Sequence, residues 1–493
     1  MIAALRSSVL ATLVAAAAWP GLSAAQAPSE ADPDAGVPQP TPSVEDELRA
    51  RLADQEARLK RLEQAPPAPA TAAPTLLQKL KLSGDVGYRF EYMRNVAHLS
   101  TEHTYRNRYR LRLAGKFEPA PEWEVGFRIA NADPRYPSTG WETFGQSPSP
   151  GEVAGPEAGS GRSAFVNFDR AYVNWRPFTW AQLQLGKQEM PIWKPWAVWR
   201  SSVWHDDDVQ PAGTAEIFTL PHGGRLKSLK VVAGQYLLEQ LFVASSGRRG
   251  AMLFVNQLSG VVGLGDRVDV SWGVGFNLFD DVDRFARGTP QAMTAGTYRN
   301  RATNVALRSP TNDATHGGPA DETNSLNCSP FSSGSNTLPA CARYNSKFQV
   351  GNAALEVLVR LPLPLRLTFD AAYNFGAVPY QPGAEAPALA WLAHASLGDF
   401  KKAGEFQVGA GFYWGQADAT WGVYADDDYL NTNVRTLMFN LKWRVLQDVL
   451  LVWDNYARTW ISPNLAVMQG IVPDTVTGNA VFLSSRVTIV ASF

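Results

Sequence analysis

The chain has two cysteines, six histidines and seven methionines in 493 residues, and its formal net charge is only -1. A near-neutral balance excludes the global basic field with which nucleic-acid binders gather phosphates. Two cysteines, Cys328 and Cys341, with His316 as the nearest histidine, are too few for a zinc or cluster site. No nucleophile elbow, phosphate-binding loop or zinc signature occurs anywhere. Beyond residue 25 no run of 18 apolar residues is found, so no transmembrane helix is expected. No cofactor, metal or catalytic residue is expected.

What is present starts with export. Residues 1–25 read as a secretory signal, with Arg6, the apolar "SSVLATLVAAAAW" and the small-residue "SAA" before Gln26. No cysteine follows that cleavage site, which argues against a lipid anchor. Residues 26–43 are rich in Pro and small residues and bury nothing, so they are expected to be a disordered linker. Residues 44–64, "VEDELRARLADQEARLKRLEQ", carry Leu48, Leu52, Leu59 and Leu62 at heptad positions with Gln55 between. That pattern predicts a short coiled coil, with a solvated charged helix as the alternative. A Pro/Ala-rich linker fills 65–79.

From residue 80 the hydrophobic period becomes two. In "LKLSGDVGYRFEY", Leu82, Val86, Tyr88 and Phe90 alternate with Lys81, Ser83, Asp85, Arg89 and Glu91. "RVDVSWGVGFNLF" and "LRLTFDAAYNF" repeat the pattern. Such alternation means strands with one apolar and one polar face. Their length, ten residues or so, matches the roughly 9–11 that span a bilayer as a tilted strand. About sixteen such stretches occupy 80–493, and the connections alternate in length. "EPAPE", "RPF", "PHGG", "GLGD", "LPLP" and "LQD" are tight, whereas 132–163, 191–212, 280–345 and 461–479 are long. All long connections share one parity, so they leave from one rim. The expected fold is all-β: a transmembrane antiparallel β-barrel of about sixteen strands, with tight periplasmic turns and long external loops.

The closing strand, "VFLSSRVTIVASF", alternates likewise and ends in Phe493. It resembles the signal by which bacterial outer-membrane proteins engage the barrel assembly machinery. With "RNRYRLRLAGKFE", "FDRAYVNWRP" and "LQLGKQEMP", it makes 80–493 similar to Gram-negative outer-membrane porins, above all those carrying a short N-terminal coiled coil. Phosphate-selective porins share the coiled coil and an arginine-lined pore, so the chain resembles both. The resemblance implies an outer-membrane channel for small hydrophilic solutes or ions, surrounded by outer-membrane lipid, homotrimeric, with the coiled coil in the periplasm and no nucleic-acid partner.

Within that frame, Arg106, Arg108, Arg110, Arg112 and Lys116 share one strand face, opposite Tyr105, Tyr109, Leu111, Leu113 and Phe117. Arginine at the bilayer midplane costs about 2–4 kcal/mol, so the basic row must face the lumen. With Arg128 and Arg170 it forms the predicted pore-lining, anion-binding set. Asp85, Glu91, Glu122 and Glu124 lie on neighbouring strands, so bracing of the wall by ion pairs is an equally open role. In porins one external loop commonly folds inward. Both 132–163 and 191–212 are candidates, and Asp206, Asp207 and Asp208 are predicted constriction-loop acids. Solvated loop acids are the simpler alternative, for these and for Asp426 to Asp428. An exported chain with Cys328 and Cys341 in its longest loop is expected to join them as a disulfide. Trp123, Trp175, Trp180, Trp443 and Trp453 near turns, and Tyr92, Trp414 and Trp460 near loops, are expected to form two interfacial girdles. Two other functions remain conceivable: a polysaccharide or uronate export barrel, or a barrel enzyme built on His394 and Ser396.

Overall fold

The computed structural model describes residues 52, 53, 55–57, 60, 79–95, 103–131, 141–143, 166–196, 201–207, 209–238, 251–282, 298, 299, 306, 307, 324, 326–328, 341–380, 383–422, 424, 425, 432–462 and 481–493. The chain divides into two units, 1–73 and 74–493. In the first, residues 52, 53, 55–57 and 60 are helical and Leu52 is exposed. The predicted signal, the linkers except Lys79, and the remaining seam leucines lie outside the described residues.

The second unit is a closed antiparallel barrel of sixteen long strands. They are β1 (Leu80–Asn95), β2 (His103–Ala120), β3 (Trp123–Asn131), β4 (Val166–Phe178), β5 (Ala181–Lys187), β6 (Ala212–Thr219), β7 (Leu226–Leu237) and β8 (Met252–Leu264). After these come β9 (Val268–Asp280), β10 (Phe348–Val359), β11 (Leu365–Asn374), β12 (Leu389–Gly398), β13 (Phe406–Gly415), β14 (Val434–Leu446), β15 (Val449–Trp460) and β16 (Val481–Ser492). Each strand pairs with its sequence neighbours, as short connections demand. Tight turns and long connections alternate around the ring, as the sequence predicts. Left-handed glycines shape the turns where a side chain would strain, notably Gly224 (φ 61°) and Gly265 (φ 74°).

Closure occurs between β1 and β16, with Asp85 opposite Ser492 and Asn95 opposite Phe482. Gly84 and Phe493 exchange backbone hydrogen bonds at 2.9 and 3.0 Å, and the Phe493 ring lies where a Cβ on Gly84 would stand. The terminal aromatic therefore covers a glycine at the seam. A closed ring leaves no unpaired edge, which hydrocarbon requires.

Outward positions are overwhelmingly apolar: Leu82, Val86, Tyr88 and Phe90 on β1, Leu367, Phe369 and Tyr373 on β11, Val487 and Ile489 on β16. An exposed apolar belt running around most of a barrel is incompatible with water on its outer surface. Trp123, Trp175, Trp180, Trp443 and Trp453 are all exposed beside the turns, where a girdle is expected. Trp460 is a correction. It is 1% exposed and points inward, packing edge-on against Phe482, because its parity on β15 matches Asp454 and Tyr456 and not Trp453. Inside the barrel, Ala215, Ile217, Val232, Tyr236, Leu253 and Val255 form an apolar core with side chains of the 188–211 connection.

Candidate functional site: a basic wall facing an inward loop

Strand alternation turns Arg106, Arg108, Arg110, Arg112 and Lys116 inward on β2, and β1 sets Glu91 opposite Arg106, Arg89 opposite Arg108 and Asp85 opposite Arg112. Glu91 is fully buried. Its Oε2 accepts Arg106 Nε at 2.8 Å and Nη2 at 2.6 Å, while Oε1 lies 3.2 Å from Arg108 Nη1. Arg89 and, across the seam, Arg486 stand 3.6 Å from the same oxygen. Asp85 joins Arg110 at 2.9 Å and Arg112 at 2.7 Å. Lower down, Lys116 contacts Glu124 at 2.7 Å and Glu118 at 3.1 Å, and Arg176 reaches Glu124 at 3.0 Å. Glu122 lies in the tight turn and has no ion pair among the described residues. Arg128 pairs with Asp169, and Arg170 with Glu189 at 3.3 Å.

Both roles open in the sequence are thus compatible with the geometry. Carboxylates brace the arginines: Glu91 gathers Arg89, Arg106, Arg108 and Arg486, and Asp85 gathers Arg110 and Arg112. Low dielectric strengthens each pair and holds the guanidinium planes in fixed orientation. Among the charged groups, Arg110, Arg112, Arg128 and Arg170 keep 13–25% side-chain exposure, and Lys116 and Arg176 about 40%.

The 132–165 connection returns to this wall. Residues 142–143 pair with β2, and Trp141 lies over the arginines with its ring centroid 4.2 Å from Arg89 and 4.7 Å from Arg110. Arg108 Nη2 donates to the Trp141 carbonyl at 2.8 Å. Gly87 makes this possible, since a Cβ there would meet the indole at 2.6 Å. Sequence reasoning missed Trp141, a lone tryptophan in a long connection. Only the missing side chain at Gly87 on an arginine-lined face hinted at a cover.

The 188–211 connection also turns inward and is tied down by lumenal side chains. Trp193 N–H donates to Gln257 Oε1 at 2.6 Å and its carbonyl accepts Gln257 Nε2 at 2.9 Å. Trp196 N–H donates to Glu356 at 2.7 Å, and its carbonyl accepts Thr368 Oγ1 at 2.6 Å. Its indole lies 4.8 Å from Lys442 Nζ. Ser202 Oγ and Val203 N–H both donate to Asp370, at 2.7 and 2.9 Å. Met190, Ile192, Val203, Trp204 and Val209 complete the apolar core behind it. Side chains here do what a neighbouring strand would do, satisfying backbone groups that dry packing would otherwise orphan.

Of the predicted constriction acids, Asp207 is 41% exposed and joins Lys194 at 2.8 Å. Asp206 is buried and its N–H donates to the Tyr424 carbonyl at 2.7 Å. Asp208 lies outside the described residues, as do Asp426 to Asp428. Glu189, not foreseen as a loop acid, is 39% exposed and faces Arg170 and Lys194. His205, fully buried between Trp204 and Tyr424, has no hydrogen-bond partner for its ring nitrogens among the described residues. Burial, aided by the nearby Lys194 charge, holds its pKa well below the ordinary value.

The remaining candidates are quickly placed. His394 Nε2 meets Asn440 Nδ2 at 3.2 Å, and the buried Ser396 hydroxyl has no partner among the described residues, so the two form no dyad. Cys328 and Cys341 are directly opposite in a two-strand ladder of Leu326–Cys328 and Cys341–Tyr344. Cross-strand Cα separations of about 4.5–5.5 Å suit a disulfide. Among the described residues no three His, Cys, Asp or Glu side chains could hold a metal ion.

No family model and no curated protein matches the chain. Among solved structures it resembles the high-pH structure of Pseudomonas putida OprB, at 10% identity and TM-score 0.49, over 85% of this chain and 95% of that one. The anion-selective porin from Comamonas acidovorans matches at 10% identity and TM-score 0.42, over 84% and 99%. Salmonella typhi OmpF in complex with Daunomycin matches at 7% identity and TM-score 0.43, over 84% and 97%. These are likenesses of barrel architecture.

Proposed function

We propose that the chain is an outer-membrane porin, a water-filled passage for small hydrophilic solutes that favours anions. The observation that carries this reading is the inward wall of β16 and β1–β4, where Arg110, Arg112, Arg128 and Arg170 keep solvent exposure and guanidiniums outnumber carboxylates. Sixteen strands enclose a lumen wider than side chains from the wall alone can fill. Fixed positive charge in a narrow passage concentrates anions, and guanidinium donors match carboxylate and phosphate oxygens while a wet lumen keeps each contact reversible. Glu189 beside Arg170 and Asp207 beside Lys194 add part-exposed acids on the inward loop, so a solute passes groups of both signs that sort it by charge and dipole. Asp206, buried, contributes to loop packing instead. In this reading residues 1–25 direct export, β16 engages the assembly machinery, three copies associate, and the 44–64 helix stands in the periplasm.

Reversal potential across a planar bilayer in a salt gradient tests the reading. The wild type is expected to favour chloride over potassium, and Arg112→Gln with Arg128→Gln to lower that preference without closing the channel. Cation preference in the wild type would overturn the anion reading. Silence from correctly folded protein would overturn the channel itself.

A further inference from the structure

The outer surface of β6–β8 departs from the rest of the barrel. Thr214 and Glu216 on β6, Gln235 on β7 and Asn256 on β8 are all exposed. Their direction follows from their neighbours. Ala215, Ile217, Val232, Tyr236, Leu253 and Val255 belong to the interior core, and Gln257 binds the inward loop, so the intervening residues point out. The register makes them one patch, with Thr214 opposite Gln235, and Glu216 opposite Ala233, which faces Asn256. None of the four side chains has a hydrogen-bond or ion-pair partner among the described residues. Lys187 lies beside them at the end of β5, its Nζ 3.4 Å from the Phe168 carbonyl.

Leu183, Leu185, Phe254 and Leu258 flank the patch at outward positions. The patch therefore sits within the apolar belt, where hydrocarbon offers a carboxylate and two amides no partner. We infer that this face of β6–β8 is covered by a second copy of the chain, which supplies partners to Thr214, Glu216, Gln235 and Asn256. A copy is the occupant because the patch is complementary to itself. It holds one cation, one anion and two amides, each amide both donor and acceptor, and Lys187 of one copy can meet Glu216 of the next. Small residues, Ala212 and Ala233, let the two walls approach. The inference rests on the membrane-channel reading and deepens it by locating the contact.

Two measurements on the full mature chain test it. A fluorophore attached through Asn256→Cys, in phosphatidylcholine vesicles carrying doxyl-labelled lipid, is expected to be quenched several-fold less than one attached through Leu437→Cys. Glu216→Arg with Asn256→Leu is expected to shift sedimentation in mild detergent toward the single-chain species, with the barrel's spectrum unchanged. Equal quenching at both positions would overturn the inference, because the patch would then face lipid. Protection from lipid in a protein that sediments as one chain would overturn the choice of a second copy as occupant. Conductance separates the readings: open channels without the oligomer leave the porin and remove the interface, whereas oligomers without conductance do the reverse.

Discussion

Glu91 is the residue on which the basic wall depends, and its removal has a calculable consequence. Its carboxylate takes two contacts from Arg106 at 2.6 and 2.8 Å, one from Arg108 at 3.2 Å, and the fields of Arg89 and Arg486 at 3.6 Å. The group is fully buried, so water screens none of these pairs well. Removing one partner of a buried ion pair costs about 3–5 kcal/mol, since the remaining charge stays buried without compensation. Glu91→Gln keeps one acceptor oxygen and is expected near the lower end, about 3 kcal/mol. Glu91→Ala loses both oxygens and is expected to cost about 5 kcal/mol. Urea unfolding of the protein reconstituted in lipid vesicles measures the loss. The Glu91→Gln channel should also be more anion-selective than wild type, because the wall has gained a net positive charge. A loss below about 1 kcal/mol for both variants, the range of exposed pairs, would show that water reaches the cluster and would refute the reasoning.

Gly87→Val is expected to dislodge Trp141 from Arg89 and Arg110, because its side chain would occupy the indole's place; single-channel conductance should rise and anion preference strengthen. Acid should loosen the inward loop through His205. Its folded pKa is depressed, so stability is complete above the unfolded value of about 6.5 and declines as pH falls below it, when only the unfolded loop takes up the proton. Conductance noise should therefore grow as the pH falls below about 6.5, and His205→Phe should abolish that growth. Thiol titration in urea should find Cys328 and Cys341 unreactive until a reductant is added, and two reactive thiols without reductant would remove the disulfide.

Much of the barrel was legible because strand alternation is local. A period of two assigns every side chain of β1 or β16 to a face without knowledge of its neighbours. The parity of long and short connections then distinguishes one rim from the other. Trp460 shows where this fails, since proximity to a loop says nothing about parity along β15. The inward direction of Arg106 to Arg112 was readable for the same local reason.

What those arginines meet was not readable. Glu91 collects Arg486 from the far end of the chain, and Arg89 reaches Thr488 across 399 residues, contacts created only when β1 closes on β16. Trp141 over Arg89 and Arg110, and Asp370 holding Ser202 and Val203, are likewise meetings of distant segments. The sequence alone determined the strands, their faces and the sense of the wall, because these follow from backbone geometry and the cost of charge in hydrocarbon. The tertiary structure decided which charges are paired, which are covered and which loop lies inward. Those outcomes depend on which side chains the closed ring brings within a few ångströms of one another.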